Sequence, residues 1–342
     1  MSNLCAVILA AGEGKRMKSN RPKVLSPVLF KPMLGWVVDA AKKAGIGDIC
    51  VVTGYMHEDV ERYLNKLPGE YETVFQHERK GTGHAVMTAA EFLKKYSGAD
   101  VLILNGDSPF IDSGTIERSH ELHIGEGNAV TVISAELENP FGYGRIVRDS
   151  MAGTLKAIVE QKDANERVQA IREINSGAYW FDVDALLSVL YDINNQNAQG
   201  EYYLPDAIKL LIERGLRADA FIASNGETVL GANDCLQLHD LNGIARKRIL
   251  NALMKNGIDI PCTDGVIVGP DVTVEQNVCL LPGTILCGQS YISSGCVLGP
   301  NTYIENSNIG CDAKLSNVSC VGHTVRGGET LGPFVSLLGE NW

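Results

Sequence analysis

The 342-residue sequence lacks any apolar run approaching the ~18 residues of a membrane span, so no membrane partner is expected. It also lacks an excess of positive charge. Its 30 Lys and Arg face 41 Asp and Glu, for a net charge of −11, and this argues against non-specific nucleic-acid binding. There is no C-x-x-C. The nine cysteines (Cys5, Cys50, Cys235, Cys262, Cys279, Cys287, Cys296, Cys311 and Cys320) are odd in number, and their spacings match no zinc pattern, so they read as small buried side chains. The start, MSNLCAVILAAGEGKRM, puts its basic residues after the apolar stretch, the reverse of a secretory signal; a reducing, cytoplasmic location is expected. With 45% hydrophobic and 21% charged residues, the composition is too apolar for a disordered chain. The length suggests about two or three domains.

The net charge hides a local reversal. Residues 1–31 carry Lys15, Arg16, Lys18, Arg21, Lys23 and Lys31 against Glu13 alone. Such a segment is either a solvated face or an anion site.

Residues 5–9 (CAVIL) read as a buried parallel strand running into a glycine loop. Further strands are expected at 48–53, 72–76 and 100–104, alternating with helices at 33–44, 58–67 and 83–95. That alternation is the pattern of a doubly wound α/β sheet, whose ligand loops lie at one rim. Beyond residue 128, strands are expected at 129–136, 144–148, 154–160, 175–181, 219–223 and 228–230, with helices at 185–191, 205–214 and 236–256.

The last part is a repeat. Val268, Val274, Leu280, Leu286, Ile292, Leu298 and Ile304 recur every six residues, with Gly and Pro between many of them. After Ile304 the step slips by one, then resumes at Ile309, Leu315 and Val321. A period of six fits a triangular parallel β-helix, one strand and one corner per hexapeptide, of roughly three coils.

The loop Leu9-Ala10-Ala11-Gly12-Glu13-Gly14-Lys15-Arg16-Met17 is neither a Walker A loop nor a dinucleotide fingerprint, since Met17 replaces the third glycine. Its small residues let a base or ribose approach, and its amides suit phosphate. Taken alone, it reads equally as a strand-to-helix turn. Asp107, after a strand and Asn105-Gly106, is a turn residue or a metal ligand at the sheet rim. His84 reads as a packing or backbone-bonding histidine rather than a general base, Glu160 as a strand charge or a ligand, and Tyr202 and Tyr203 as core or pocket wall.

L-A-A-G-x-G-x-R-M followed by Pro22-Lys23-Val24-Leu25 resembles the sugar-1-phosphate nucleotidyltransferases. With Gln76, Gly81-Thr82-Gly83-His84-Ala85, Asn105-Gly106-Asp107, Gly142-Tyr143-Gly144-Arg145, Glu160, Asn175-Ser176-Gly177, Gly200-Glu201-Tyr202-Tyr203, Asn233 and the hexapeptides, residues 3–323 resemble the bacterial N-acetylglucosamine-1-phosphate uridylyltransferases. The resemblance implies a Rossmann-like α/β nucleotidyltransferase domain (1–240), a linker helix (241–260), a short left-handed parallel β-helix (261–323) and a tail (324–342). It implies that Arg16 and Lys23 act on the triphosphate. Leu9, Ala10, Ala11, Gly12, Gly14, Gln76, Gly81 and Thr82 would bind the nucleotide, and Gly144, Glu160 and Asn175 the sugar. Asp107 and Asn233 would hold Mg²⁺. The substrates implied are UTP and N-acetylglucosamine-1-phosphate. Another sugar-1-phosphate, dTTP, or a silent scaffold subunit are the alternatives. A homotrimer through the β-helix is expected, with Phe334, Leu337, Leu338 and Trp342 of the tail against a neighbour. Bifunctional relatives carry an acetyltransferase on later coils; with the repeat ending near Gly322, that activity is expected to be absent.

Overall fold

The computed structural model describes residues 4–151 and 153–339, and the chain divides into two compact units. The first holds residues up to Ser26 and Pro32–Gln237; the second holds Pro27–Lys31 and residues from Leu238 onward. The start of the chain, residue 152 and the last three residues, including Trp342, lie outside the described residues.

The first unit is built on strands β1 (Leu4–Ala10), β4 (Asp48–Thr53), β5 (Glu72–Phe75), β6 (Asp100–Asn105), β7 (Val130–Glu136), β8 (Arg145–Arg148), β9 (Leu155–Val159), β10 (Glu173–Asp182) and β11 (Ala218–Ile222). Between β1 and β4 the chain forms the short pair β2 (Pro27–Val28) and β3 (Lys31–Pro32). The main sheet runs β11-β7-β10-β6-β1-β4-β5, with the β8–β9 hairpin attached to β10. Strand β1 is parallel to β4 and β6, and β10 is antiparallel to β6 and β7. Successive side chains alternate between faces. Val7, Val52 and Ile103 therefore join one core with Val86, Leu186 and Leu211 of the covering helices. Ile8, Val51 and Leu104 join the other with Leu34, Val38, Val60 and Trp180.

Several local expectations need correction. Residues 228–230 are not a strand; Gly226–Val229 is a 3₁₀ turn, capped by Asn225, whose side chain accepts from the Glu227 amide at 2.9 Å. The helix expected over 83–95 breaks into Thr82–Thr88, Ala90–Leu93 and a 3₁₀ turn. A helix at Ser113–Gly125 was not expected. Its buried face uses Thr115, Ser119 and His123 beside Ile116, so it lacks the apolar period that marks a helix in sequence.

In the second unit three parallel sheets stack, of five, four and four strands. Inward positions are filled by Val268, Leu280, Leu286, Ile292, Leu298, Ile304, Ile309 and Leu315, all at most 1% exposed. Two residues before several of these lie buried hydroxyls that bond the backbone. Thr284 Oγ1 donates to Leu281 O at 2.7 Å and Ser290 Oγ to Cys287 O at 2.7 Å. The corners are crowded: a Cβ at Gly288, where φ is +62°, would lie 2.1 Å from Asn306 Oδ1.

The strand stack does not end at 323. Thr324–Val325, Thr330–Leu331 and Val335–Leu338 pair with strands of the preceding coil, so most of the expected tail is a further coil. The reason is a change of coil length. Ile267 pairs with Ile285, eighteen residues on, but Tyr303 pairs with Ser319, sixteen on. The shortened coil loses the six-step signal while keeping the three faces. Cys320, not Val321, takes the central inward place, paired with Ile304 and fully buried.

Candidate active site

The carboxyl ends of β1, β4, β5 and β6 meet at one rim of the sheet in the first unit, the place where open α/β sheets bind ligands. The loop after β1 is held there by close backbone approaches. Tyr55 N donates to Ala11 O at 3.2 Å, and Gly106 N to Leu9 O at 2.9 Å. A Cβ on Gly14, where φ is +65°, would lie 2.6 Å from Lys23 Cβ, so only glycine lets the loop pass over Lys23.

Two adjoining compartments open at this rim. The larger, about 450 Å³, is lined by Leu9, Ala11, Gly12, Gly14, Arg16, Lys23, Gln76, Gly81 and Thr82, joined by Lys15 and Arg79. Every nucleotide-binding and catalytic residue expected from sequence faces it except Ala10. Ala10 is 1% exposed and sits in the core beneath the sheet, because strand alternation turns it away from the face that Leu9 and Ala11 present. The smaller, about 280 Å³, is lined by Gly144, Glu160 and Asn175, the expected sugar residues, with Tyr143, Ser176, Tyr179 and Tyr203.

Asp107 and Asn233 line both compartments. They converge on one cation: Lys23 Nζ donates to Asn233 Oδ1 at 2.7 Å and forms an ion pair with Asp107. Lys23 is nearly buried, its side chain 12% exposed. Asn105, Thr82 and Glu201 also border both spaces; of these, Asn105 and Glu201 were not singled out as site residues. Their signal was their place in Asn105-Gly106-Asp107 and Gly200-Glu201-Tyr202-Tyr203.

The Gln76 end of the larger compartment is bordered by two strips of backbone. Tyr202 N donates to Lys80 O and Gly83 N to Tyr202 O, each at 2.8 Å. Gly81, with φ +105°, has no room for a Cβ, which would lie 2.6 Å from Tyr202 O. Gln76 is buried, and its Nε2 lies 3.2 Å from Gly81 O and 2.9 Å from His84 Nδ1. Thr82 Oγ1 accepts from Leu204 N at 3.1 Å.

In the smaller compartment a bulge in β10 between Asn175 and Ala178 re-aims the strand. Gly177 (φ +78°) makes it feasible, since a Cβ there would lie 2.1 Å from Asn105 Nδ2. Asn175 is held on both sides: its Nδ2 donates to Tyr179 OH at 2.7 Å and its Oδ1 accepts from Gly177 N at 3.0 Å. Burial, then the charges of Asp163 and Asp206, push the Glu160 carboxyl up, while Arg145 pulls it down. Burial and the nearby Asp107 raise the Tyr143 phenol.

A glycine-lined cleft bordered by Lys15, Arg16 and Lys23 adjoins a second polar compartment through a shared carboxylate, and the family profile described as nucleotidyl transferase matches residues 5–227, so the chain is a nucleotidyl transferase. The bifunctional protein GlmU of Caldanaerobacter subterraneus subsp. tengcongensis is 43% identical over 345 residues, covering 100% of this chain and 73% of that protein. The GlmU of Clostridioides difficile is 39% identical over 335 residues, covering 98% of this chain and 72% of that one. The chain belongs to the GlmU family. A Bacillus anthracis structure named for glucose-1-phosphate thymidylyltransferase, in complex with a sucrose, superposes with a TM-score of 0.59. It is 21% identical and covers 71% of this chain and 95% of its own, which establishes likeness of fold. Among the described residues no helix is long and apolar enough to cross a membrane.

Proposed function

We propose that the site transfers the uridylyl group of UTP to N-acetylglucosamine-1-phosphate, giving UDP-N-acetylglucosamine and pyrophosphate. The observation that carries this reading is the pair Asp107 and Asn233 at the seam of the two compartments, where a triphosphate in one would meet a sugar phosphate in the other. An oxygen of the sugar phosphate attacks the α-phosphorus, the bond to the β-phosphate oxygen breaks, and pyrophosphate leaves with the electron pair. The attacking oxygen is already anionic, so no protein base or nucleophile is required. Arg16 and Lys23 neutralise charge on the phosphates, and the loop Leu9–Gly14 with Gln76, Gly81 and Thr82 holds the nucleoside. Asn175, Glu160 and the Gly144 backbone hold the sugar hydroxyls and acetamido group.

The donor set suits Mg²⁺. Two oxygens, one a carboxylate, already converge on a positive charge at Lys23 Nζ, and a hard cation of this kind takes one or two protein oxygens and completes its shell with phosphate and water. Asp107 and Asn233 would hold it, and it would add positive charge beside the phosphates. We place the protein in the cytoplasm, a reading supported by its nine free cysteines. We also propose a homotrimer through the β-helix, supported by the exposed Phe334 and Leu338 of the last coil, 89% and 58% exposed. A monomer in light scattering would sink it.

The test is a pyrophosphate-release assay over a panel of nucleotides and sugar phosphates, with and without Mg²⁺. Turnover is expected with UTP and N-acetylglucosamine-1-phosphate and to depend on the metal. Turnover with glucose-1-phosphate or dTTP in their place would change the substrate assignment, and none with any pair would support a scaffold.

A further inference from the structure

We propose that His84 is a positioning residue for base selection: it fixes the Gln76 amide so that only its carbonyl oxygen faces the base, which admits uracil or thymine and rejects cytosine. This rests on the nucleotide-binding reading of the larger compartment.

The argument begins with Gly81 O. A backbone carbonyl can only accept, so the Gln76 atom 3.2 Å from it must be the amide nitrogen. The same nitrogen lies 2.9 Å from His84 Nδ1. Its second N–H therefore points at that ring nitrogen, which must carry no proton, and the ring is the Nε2–H tautomer. The environment agrees. Burial, then the Lys80 charge, lowers the His84 pKa against the weaker pull of Glu78, so the ring is neutral at neutral pH. The backbone of Gln76 is held as well, its N–H donating to Thr53 O at 2.8 Å.

With both amide hydrogens engaged, Gln76 has only Oε1 left for a ligand, and Gln76 lines the compartment. Uracil and thymine present N3–H to such an acceptor. Cytosine presents a bare N3, which would set lone pair against lone pair and leave a buried acceptor unpaired. Without His84 the amide keeps one bond to Gly81 O but has a free N–H, so its plane can turn and offer that donor to cytosine.

Calorimetric titration of UTP and CTP into the full chain tests this directly, with His84→Leu and His84→Asn beside the wild type. The Asn carbonyl can replace Nδ1 as acceptor; Leu cannot. The wild type should prefer UTP by up to about a hundredfold, the fold-change that corresponds to one buried polar group left unpaired. His84→Leu should weaken UTP binding about tenfold and cut the UTP-to-CTP ratio about tenfold, the effect of one lost hydrogen bond and a freed donor. The kinetic loss should fall on KM for UTP more than on kcat, and His84→Asn should recover most of the ratio. A wild type that binds both nucleotides alike, a Leu variant with unchanged ratio, or an Asn variant no better than Leu overturns the inference. Absence of turnover with N-acetylglucosamine-1-phosphate while the binding pattern holds would overturn the functional reading and support this one.

Discussion

Replacing Lys23 by methionine removes a charge and changes little else. Methionine matches the length of the lysine stem and is flexible enough to fill its space beside Gly14. The structure sets two magnitudes apart. A unit charge about 4 Å from a phosphoryl oxygen, at an effective dielectric near 20, is worth about 4 kcal/mol. Loss of one such stabilising group from a closed site lowers turnover by about 10²–10³-fold. We therefore expect kcat/KM to fall about 10²–10³-fold. Stability should hardly change. Asp107 and Asn233 both lose their donor, but the Asp107 side chain is 27% exposed, so water takes over there, and the net loss is about 1 kcal/mol. For a unit of this size that is about 2–4 °C in Tm. Lysine and Mg²⁺ would contend for the same two oxygens, so the metal concentration for half-maximal rate should not rise in the variant. Steady-state pyrophosphate release with a Mg²⁺ titration, beside a thermal melt, measures all three. A loss of activity under tenfold with an unchanged melt would refute the charge argument. A melt lowered by more than about 10 °C would show that Lys23 holds the fold instead.

Other perturbations follow from single contacts. Gly177→Ala should reduce sugar-phosphate affinity more than UTP affinity, because its Cβ would displace the Asn105 amide beside Asn175; equal losses for both substrates would contradict this. Deleting residues 324–342 should destabilise the second unit in urea unfolding, since strands that pair with the previous coil are removed; an unchanged midpoint would mean that segment is an appended tail. Burial raises the Asp100 carboxyl, but bonds from His120 and His123 outweigh it and hold the group well below its ordinary pKa. That contribution is present above about pH 4 and lost on acidification below it, so wild-type stability should fall between about pH 4 and pH 2 more steeply than that of Asp100→Asn.

The front of the site was legible because its chemistry needs residue types that few other roles require. Gly14 must clear Lys23, and Gly81 must clear Tyr202 O, so the glycines stand out against their neighbours. Ala10 shows the limit of such reading. A motif names a stretch of chain, but the strand's alternation decides which side chains face the ligand, and Ala10 faces the core. The Ser113–Gly125 helix was hidden because Ser119 and His123 are buried through hydrogen bonds, so hydrophobic period gave no sign of it. The extra coil was hidden by a change of spacing alone: Val325, 1% exposed, lies where a six-step count does not look. Glu201 reaches the seam only because the strip around Tyr202 zips onto Lys80 and Gly83, a contact across some 120 residues.

Asn233 lies near the end of the first unit, 126 residues after Asp107, and its amide donates to Gln237 at the start of the helix Cys235–Lys255. On a ribosome, then, the glycine loop, Lys23 and Asp107 are all made long before the residue that completes their seam. A nascent or clipped chain ending short of 233 would hold Lys23 through Asp107 alone. On the roles proposed above, such a chain would keep the nucleotide loop but lack one of the two oxygens at the seam, so turnover would wait on the last residues of the first unit to be made.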